Sequence, residues 1–168
     1  MKYLVTFAGP IGSSKSPIAH YLSHQFNLPI LSNDVIRTEV IEDLSFLDEE
    51  EFRRRARLRC LDLLKSGQAF IFDASVDRQW QNIEANIQQS QYQVFLISLD
   101  ISYPFLKKIH ADKKYHDTTG RLLSNYQQHQ DFLKQFSSLI SVSINDDNFK
   151  NRLSISANAL TQWLKQQR

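Results

Sequence analysis

Gly9-Pro10-Ile11-Gly12-Ser13-Ser14-Lys15-Ser16 decides how this chain is read. An apolar run, Tyr3-Leu4-Val5-Thr6-Phe7-Ala8, precedes it and reads as a buried strand. The segment from Ser16 to Phe26 follows, with Ile18, Leu22 and Phe26 at helical spacing. Strand, glycine-bearing loop and helix are the context in which such a stretch holds phosphate. Glycines let successive N–H groups point into one hollow, and the helix that starts there turns its positive end toward an anion. The chain has four glycines, and Gly9 and Gly12 are two of them.

The stretch follows the pattern G-x-x-x-x-G-K-[ST] except at one position, where Ser14 replaces glycine. A serine in right-handed helical backbone at the helix start would preserve the hollow. Residues Gly9, Pro10, Ile11, Gly12, Ser13, Ser14, Lys15 and Ser16 are therefore the expected nucleotide-binding set. Lys15 supplies a point charge for the outer phosphates, and Ser16 a hydroxyl for Mg²⁺. Pro17 is tolerated because the first helical turn has no N–H bond to lose.

Outward from the loop, apolar runs alternate with helical patterns. Strands are expected over 2–8, 29–32, 69–73, 93–99 and 139–144, with a closing helix over 153–165. That alternation predicts an α/β fold with a parallel sheet covered on both faces. The 168 residues, 42 % of them hydrophobic, suit a single domain with a full core. A formal charge of +2 does not by itself imply nucleic-acid binding. Cys60, the one cysteine, excludes an internal disulfide and reads as a buried small residue. No apolar stretch reaches membrane-spanning length, and the amino terminus does not read as a signal peptide, so a cytoplasmic setting is expected.

Two carboxylates follow strands. Asp34, in Ser32-Asn33-Asp34-Val35-Ile36-Arg37, falls where the second strand meets a helix, the edge at which open α/β sheets bind ligands. Arg37 lies one turn on and could hold an anionic part of an acceptor. Asp73 ends Phe70-Ile71-Phe72 and is placed to stand near a Mg²⁺ hydration shell.

These three segments, in this order, resemble P-loop kinases related to polynucleotide 5′-hydroxyl kinase and the zeta-toxin kinases. The resemblance implies a three-layer α/β/α sandwich with a five-stranded parallel sheet of order 2-3-1-4-5. It implies that Asp34 is the acceptor-hydroxyl base, Arg37 an acceptor-binding residue, and Asp73 a metal-side carboxylate acting through water. It also implies a lid over the phosphates, here about residues 105–122, within one domain spanning 1–168. That stretch is rich in lysine where relatives use arginine, and Arg121 is the arginine it offers for catalysis beside Lys15 and Asp34. The expected activity is ATP- and Mg²⁺-dependent transfer of a phosphoryl group to a hydroxyl of a small-molecule or nucleotide-type acceptor. A nucleotide-binding protein with weak or lost transfer is one alternative, and a polynucleotide 5′-hydroxyl kinase is another.

Three other features read as scaffold. In Asp48–Arg59 the acids precede the bases, so Glu49–Arg53, Glu50–Arg54 and Glu51–Arg55 are expected to pair along an exposed helix. Arg57 and Arg59 lack such partners and are the better ligand candidates, with Phe52, Leu58, Leu61 and Leu64 as the buried stripe. His20 and His24 have metal-ligand spacing but no third ligand, and are expected on a polar face. His110, Asp112 and His116 lie in the expected lid and are not expected to bind metal.

Overall fold

A computed structural model describes residues 1–115 and 120–167. The strands are β1 (Tyr3–Ala8), β2 (Ile30–Ser32), β3 (Phe70–Ser75), β4 (Gln93–Leu99) and β5 (Ile140–Ile144). They form one parallel sheet of order β2-β3-β1-β4-β5. The helices are α1 (Lys15–Phe26), α2 (Asn33–Leu44), α3 (Glu49–Ser66), α4 (Trp80–Gln89), α5 (Tyr103–Asp112), α6 (Arg121–Phe136) and α7 (Arg152–Gln166). No helix among the described residues is long and apolar enough to cross a membrane.

Side chains alternate across the pleat, and each face carries its own core. Leu4, Phe70, Phe72 and Leu96 face one side and are covered by α2, α3, α4 and α6 through Val40, Phe52, Leu64, Ile87 and Phe132. Val5, Phe7, Ile71, Phe95 and Ile97 face the other and meet Ile18, Leu22 and Leu160 of α1 and α7. This is the three-layer sandwich. β1, the middle strand, is buried along its whole length, and the loop leaves from its C-terminal end.

Helix α3 differs from its expectation in its ion pairs and in its buried side. Asp48 caps it, accepting from the Glu50 and Glu51 amides, as its composition implies. Of the expected ion pairs only Glu51–Arg55 forms, and Glu51 also holds Arg54. Arg59 is not free: it donates to Glu39 of α2, a partner twenty positions earlier that no helix-periodic reading can reveal. Leu58 is exposed, because it lies about 240° around the helix from Phe52. The buried side runs instead through Phe52, Ala56, Cys60 and Leu64. Cys60 is only partly buried.

Candidate active site at the phosphate loop

The loop leaves the C-terminal end of β1 and turns directly into α1. Gly9 has φ 154° and Gly12 φ 72°. Ser14 corrects the sequence expectation. It is left-handed, with φ 87° and ψ 26°, and α1 begins only at Lys15. The loop requires a positive φ at the position where the pattern has glycine, and serine occupies that region at a cost of about 1–2 kcal/mol. Its hydroxyl is held by Arg152 Nε at 2.9 Å.

Three segments grip the loop from outside: the turn after β3, α5 and α7. The Gly9 amide donates to Asp77 Oδ2 at 3.1 Å, just past β3. Asp77 in turn meets the buried ring of His129 on α6. His110 of α5 places Nε2 2.9 Å from the Ile11 carbonyl, and Lys113 donates to the Gly12 carbonyl at 2.8 Å. Arg152 opens α7, with its guanidinium stacked 4.5 Å from the Phe149 ring centroid. Burial lowers the pKa of both Lys113 and Arg152, and Arg152 further lowers that of Lys113. The exposed Lys113 and the half-buried Arg152 thus place two cations beside one loop.

Lys15 Nζ folds back onto the Gly9 carbonyl at 2.9 Å and the Pro10 carbonyl at 2.6 Å. Its stem keeps some exposure while the ammonium is enclosed. Burial pulls its pKa down to about 8, against the opposing fields of Asp77, Asp73 and Asp34. All three carboxylates therefore stand close enough to Lys15 to act on it.

Ser32 lies opposite Asp73 across β2 and β3, which brings the two strand-end segments to one sheet edge. The Asp73 pKa is raised by burial and by the Asp34 charge, and the Ser16 hydroxyl offsets part of that. A half-buried carboxylate with an acidic neighbour and a hydroxyl beside it suits a hard divalent cation. Ser16 and Asp73 are the residues that would hold Mg²⁺ here. Among the described residues no group of three or more His, Cys, Asp or Glu could hold a metal unaided. His20 and His24 are exposed, as expected for a polar face.

Asp34 sits exposed in the first turn of α2. Arg37 is half-buried, its guanidinium 4.7 Å from the Phe52 ring centroid, and its Nε has no hydrogen-bond partner. Arg121 is the exposed first residue of α6. Residues 116–119 of the expected lid, His116 among them, lie outside the described residues; Lys113 is the lid cation that meets the loop. The sequence reading missed Asp77, His110 and Arg152 as loop contacts, and His129 behind Asp77. Asp77 carried one faint signal, lying four positions beyond Asp73. The others are brought there only by tertiary structure.

The Gly12 geometry yields a stability test. A Cβ there would lie 2.2 Å from His110 Nε2, at a φ that L side chains rarely adopt. Gly12→Ala should destabilise by about 2 kcal/mol or more in denaturant unfolding. Gly120→Ala, at φ 66° with nothing within 4 Å, should cost about 1 kcal/mol.

No family model matches this chain, and no curated protein does. Solved structures do. A gluconokinase from Sinorhizobium meliloti aligns with a TM-score of 0.70 at 14% identity, over 98% of this chain and 95% of that one. The chain has the P-loop kinase fold. A shikimate kinase from Bacteroides thetaiotaomicron shares it at a TM-score of 0.60 and 14% identity, over 97% and 98% of the two chains. So does a tunicamycin resistance protein from Deinococcus radiodurans, at a TM-score of 0.65 and 11% identity, over 96% and 95%. In this fold the loop and the β2 and β3 termini share the sheet edge where open α/β proteins bind ligands.

Proposed function

We propose that the protein is a kinase that passes the γ-phosphoryl group of ATP to a hydroxyl of a small molecule. The observation that carries this reading is the loop after β1 with Lys15 folded onto its Gly9 and Pro10 carbonyls, beside the paired β2 and β3 whose C-terminal segments bring Asp34 and Asp73 to the same sheet edge. A loop alone would argue for binding. A loop with an exposed carboxylate on one side and a half-buried one beside Ser16 argues for transfer. The solved structures of the same fold include a gluconokinase and a shikimate kinase, whose names describe small-molecule acceptors.

In this reading Asp34 accepts the proton of the acceptor hydroxyl as its oxygen bonds to the γ-phosphorus. The bond from that phosphorus to the bridging oxygen breaks, and ADP leaves. Lys15 exchanges its loop carbonyls for phosphate oxygens, and Lys113 and Arg152 add positive charge from the lid side and α7. Mg²⁺, held by Ser16 and Asp73, supplies charge neutralisation at the outer phosphates when bound. Arg37 holds an anionic part of the acceptor. An oligonucleotide acceptor is less well supported, since Arg54, Arg55 and Arg59 are already neutralised by acids within the protein.

The test is transfer of γ-labelled phosphate to a panel of hydroxylated metabolites, followed across pH with the acceptor found. With Lys15 near 8, kcat/KM for ATP should fall on the alkaline side with a midpoint near pH 8. Stability should run the other way. The folded chain favours neutral Lys15, so between about 8 and 10.5 the unfolded chain binds more protons, and stability rises with pH across that window. No transfer to any hydroxyl, with nucleotide binding retained, would favour a nucleotide-responsive binding protein instead.

A further inference from the structure

Ser14 and Arg152 form a pair that the loop pattern does not contain. The pattern has glycine at this position, and glycine carries no side-chain acceptor. Ser14 is 4 % exposed and left-handed, and its Oγ accepts from Arg152 Nε at 2.9 Å. Helices α1 and α7 pack on the same face of the sheet, and each starts at the C-terminal edge of the strands. Their first turns therefore stand side by side at the mouth of the loop.

Three details set Arg152 apart from a helix-end cation in solvent. Its guanidinium is half-buried and held from several directions: Nε on Ser14, Nη1 on the Phe149 carbonyl at 3.2 Å, and one face on the Phe149 ring. Phe149 is itself wedged edge-on against Phe105, with ring centroids 5.1 Å apart. No carboxylate among the described residues pairs with Arg152, and both Nη2 hydrogens and one on Nη1 have no partner there. Its charge also bears on Lys113, the cation that donates to the Gly12 carbonyl. A fixed guanidinium with spare donors and no counter-ion is suited to a phosphate.

We propose that Arg152 binds the nucleotide phosphates that remain with ADP, and that Ser14 is the positioning residue that holds it there. The sheet order divides the site. Asp34 follows β2 and Asp73 lies in β3, on one side of β1, whereas Arg152 follows β5, on the other. The transferred group faces the acceptor on the β2 side, so a cation from the β5 side meets the phosphates behind it. The proposal rests on the kinase reading for that order of phosphates, while the Arg152 contact itself needs only a bound nucleotide. Restoring glycine at position 14 would free the strained backbone and release the arginine.

Isothermal titration of Mg·ATP and Mg·ADP into the full chain tests the pair. Arg152→Gln should weaken both by about tenfold, the size of one charge-assisted hydrogen bond. Ser14→Gly should weaken both by about threefold to fivefold, although it restores the pattern and relieves the left-handed backbone. Ser14→Ala, which keeps the strain and loses the hydroxyl, should match Ser14→Gly. In the Arg152→Gln background, Ser14→Gly should add nothing further. Arg152→Gln should also make affinity less sensitive to ionic strength. With the acceptor found, the loss should fall mainly on KM for ATP rather than on kcat, because these phosphates are held alike before and during transfer.

Mg·ADP bound as tightly by Ser14→Gly as by the unmutated protein, or additive losses in the double variant, would overturn the proposal. Weakened binding with an unchanged ionic-strength dependence would do so too, by assigning Arg152 to the base. If Ser14→Ala fails to fold, Ser14→Gly decides alone. Nucleotide binding with the expected losses but no transfer to any hydroxyl removes the kinase and leaves the pair. Transfer with an unaltered KM for ATP in Ser14→Gly does the reverse. No nucleotide bound by the folded, unmutated protein removes both.

Discussion

Lys15→Met should lower phosphoryl transfer by about 10²–10³-fold and weaken Mg·ATP binding, with little loss of fold. Methionine keeps most of the stem's length and removes only the charge and its hydrogen bonds. The lysine is an expensive residue here. Its ammonium is enclosed, its pKa is drawn down to about 8, and in the structure it satisfies itself on the Gly9 and Pro10 carbonyls. Removing it relieves a desolvated charge and strands those carbonyls, two effects of opposite sign and similar size. Stability should therefore change little while catalysis collapses, because the ammonium is placed for charge that develops on the transferred group. Turnover within tenfold of the unmutated protein would show that the loop does not serve phosphoryl transfer.

Asp34→Asn should lower transfer by about 10²–10⁴-fold and leave Mg·ATP affinity nearly unchanged. The residue is exposed in the first turn of α2, so the stability cost is limited to a favourable helix-end charge, about 0.3–1 kcal/mol. Its charge acts on both Lys15 and Asp73. Asparagine keeps the shape and cannot take the acceptor's proton. Turnover retained in this variant would remove Asp34 from the proton transfer and leave Asp73 as the candidate base.

The sheet was legible because its signals are local. Each strand is an apolar run that ends where polarity returns, and the loop after β1 carries its motif in eight consecutive residues. The candidate residues were nominated from the same local signals: Lys15 and Ser16 open the helix after the loop that follows β1, Asp34 lies in the first turn of α2 after β2, and Asp73 lies late in β3. The grip on the loop was not legible. His110 and Arg152 come from α5 and α7, and no spacing in the chain marks a residue that contacts a loop about a hundred positions or more away.

Ser14 shows a second limit. Local preference favours right-handed backbone for serine, and the loop overrides it because the hollow requires the opposite hand. Arg152 ties down the hydroxyl that glycine would not have brought. On α3, periodicity predicted the acid–base order but not the choice of partner. Glu39 and Asp43 of α2 compete for Arg55 and Arg59 across the helix pair, and this leaves Arg53 and Arg57 unpaired on the other side.

The central claim is that the loop over residues 9–16 holds the triphosphate of a nucleotide with Lys15 as its cation. Isothermal titration of Mg·ATP into the purified protein and into Lys15→Met tests it most directly. The account predicts one site per chain, with a dissociation constant in the micromolar to millimolar range, and a large loss of affinity in the variant. No heat from the unmutated, folded protein, or equal binding by both, would contradict it.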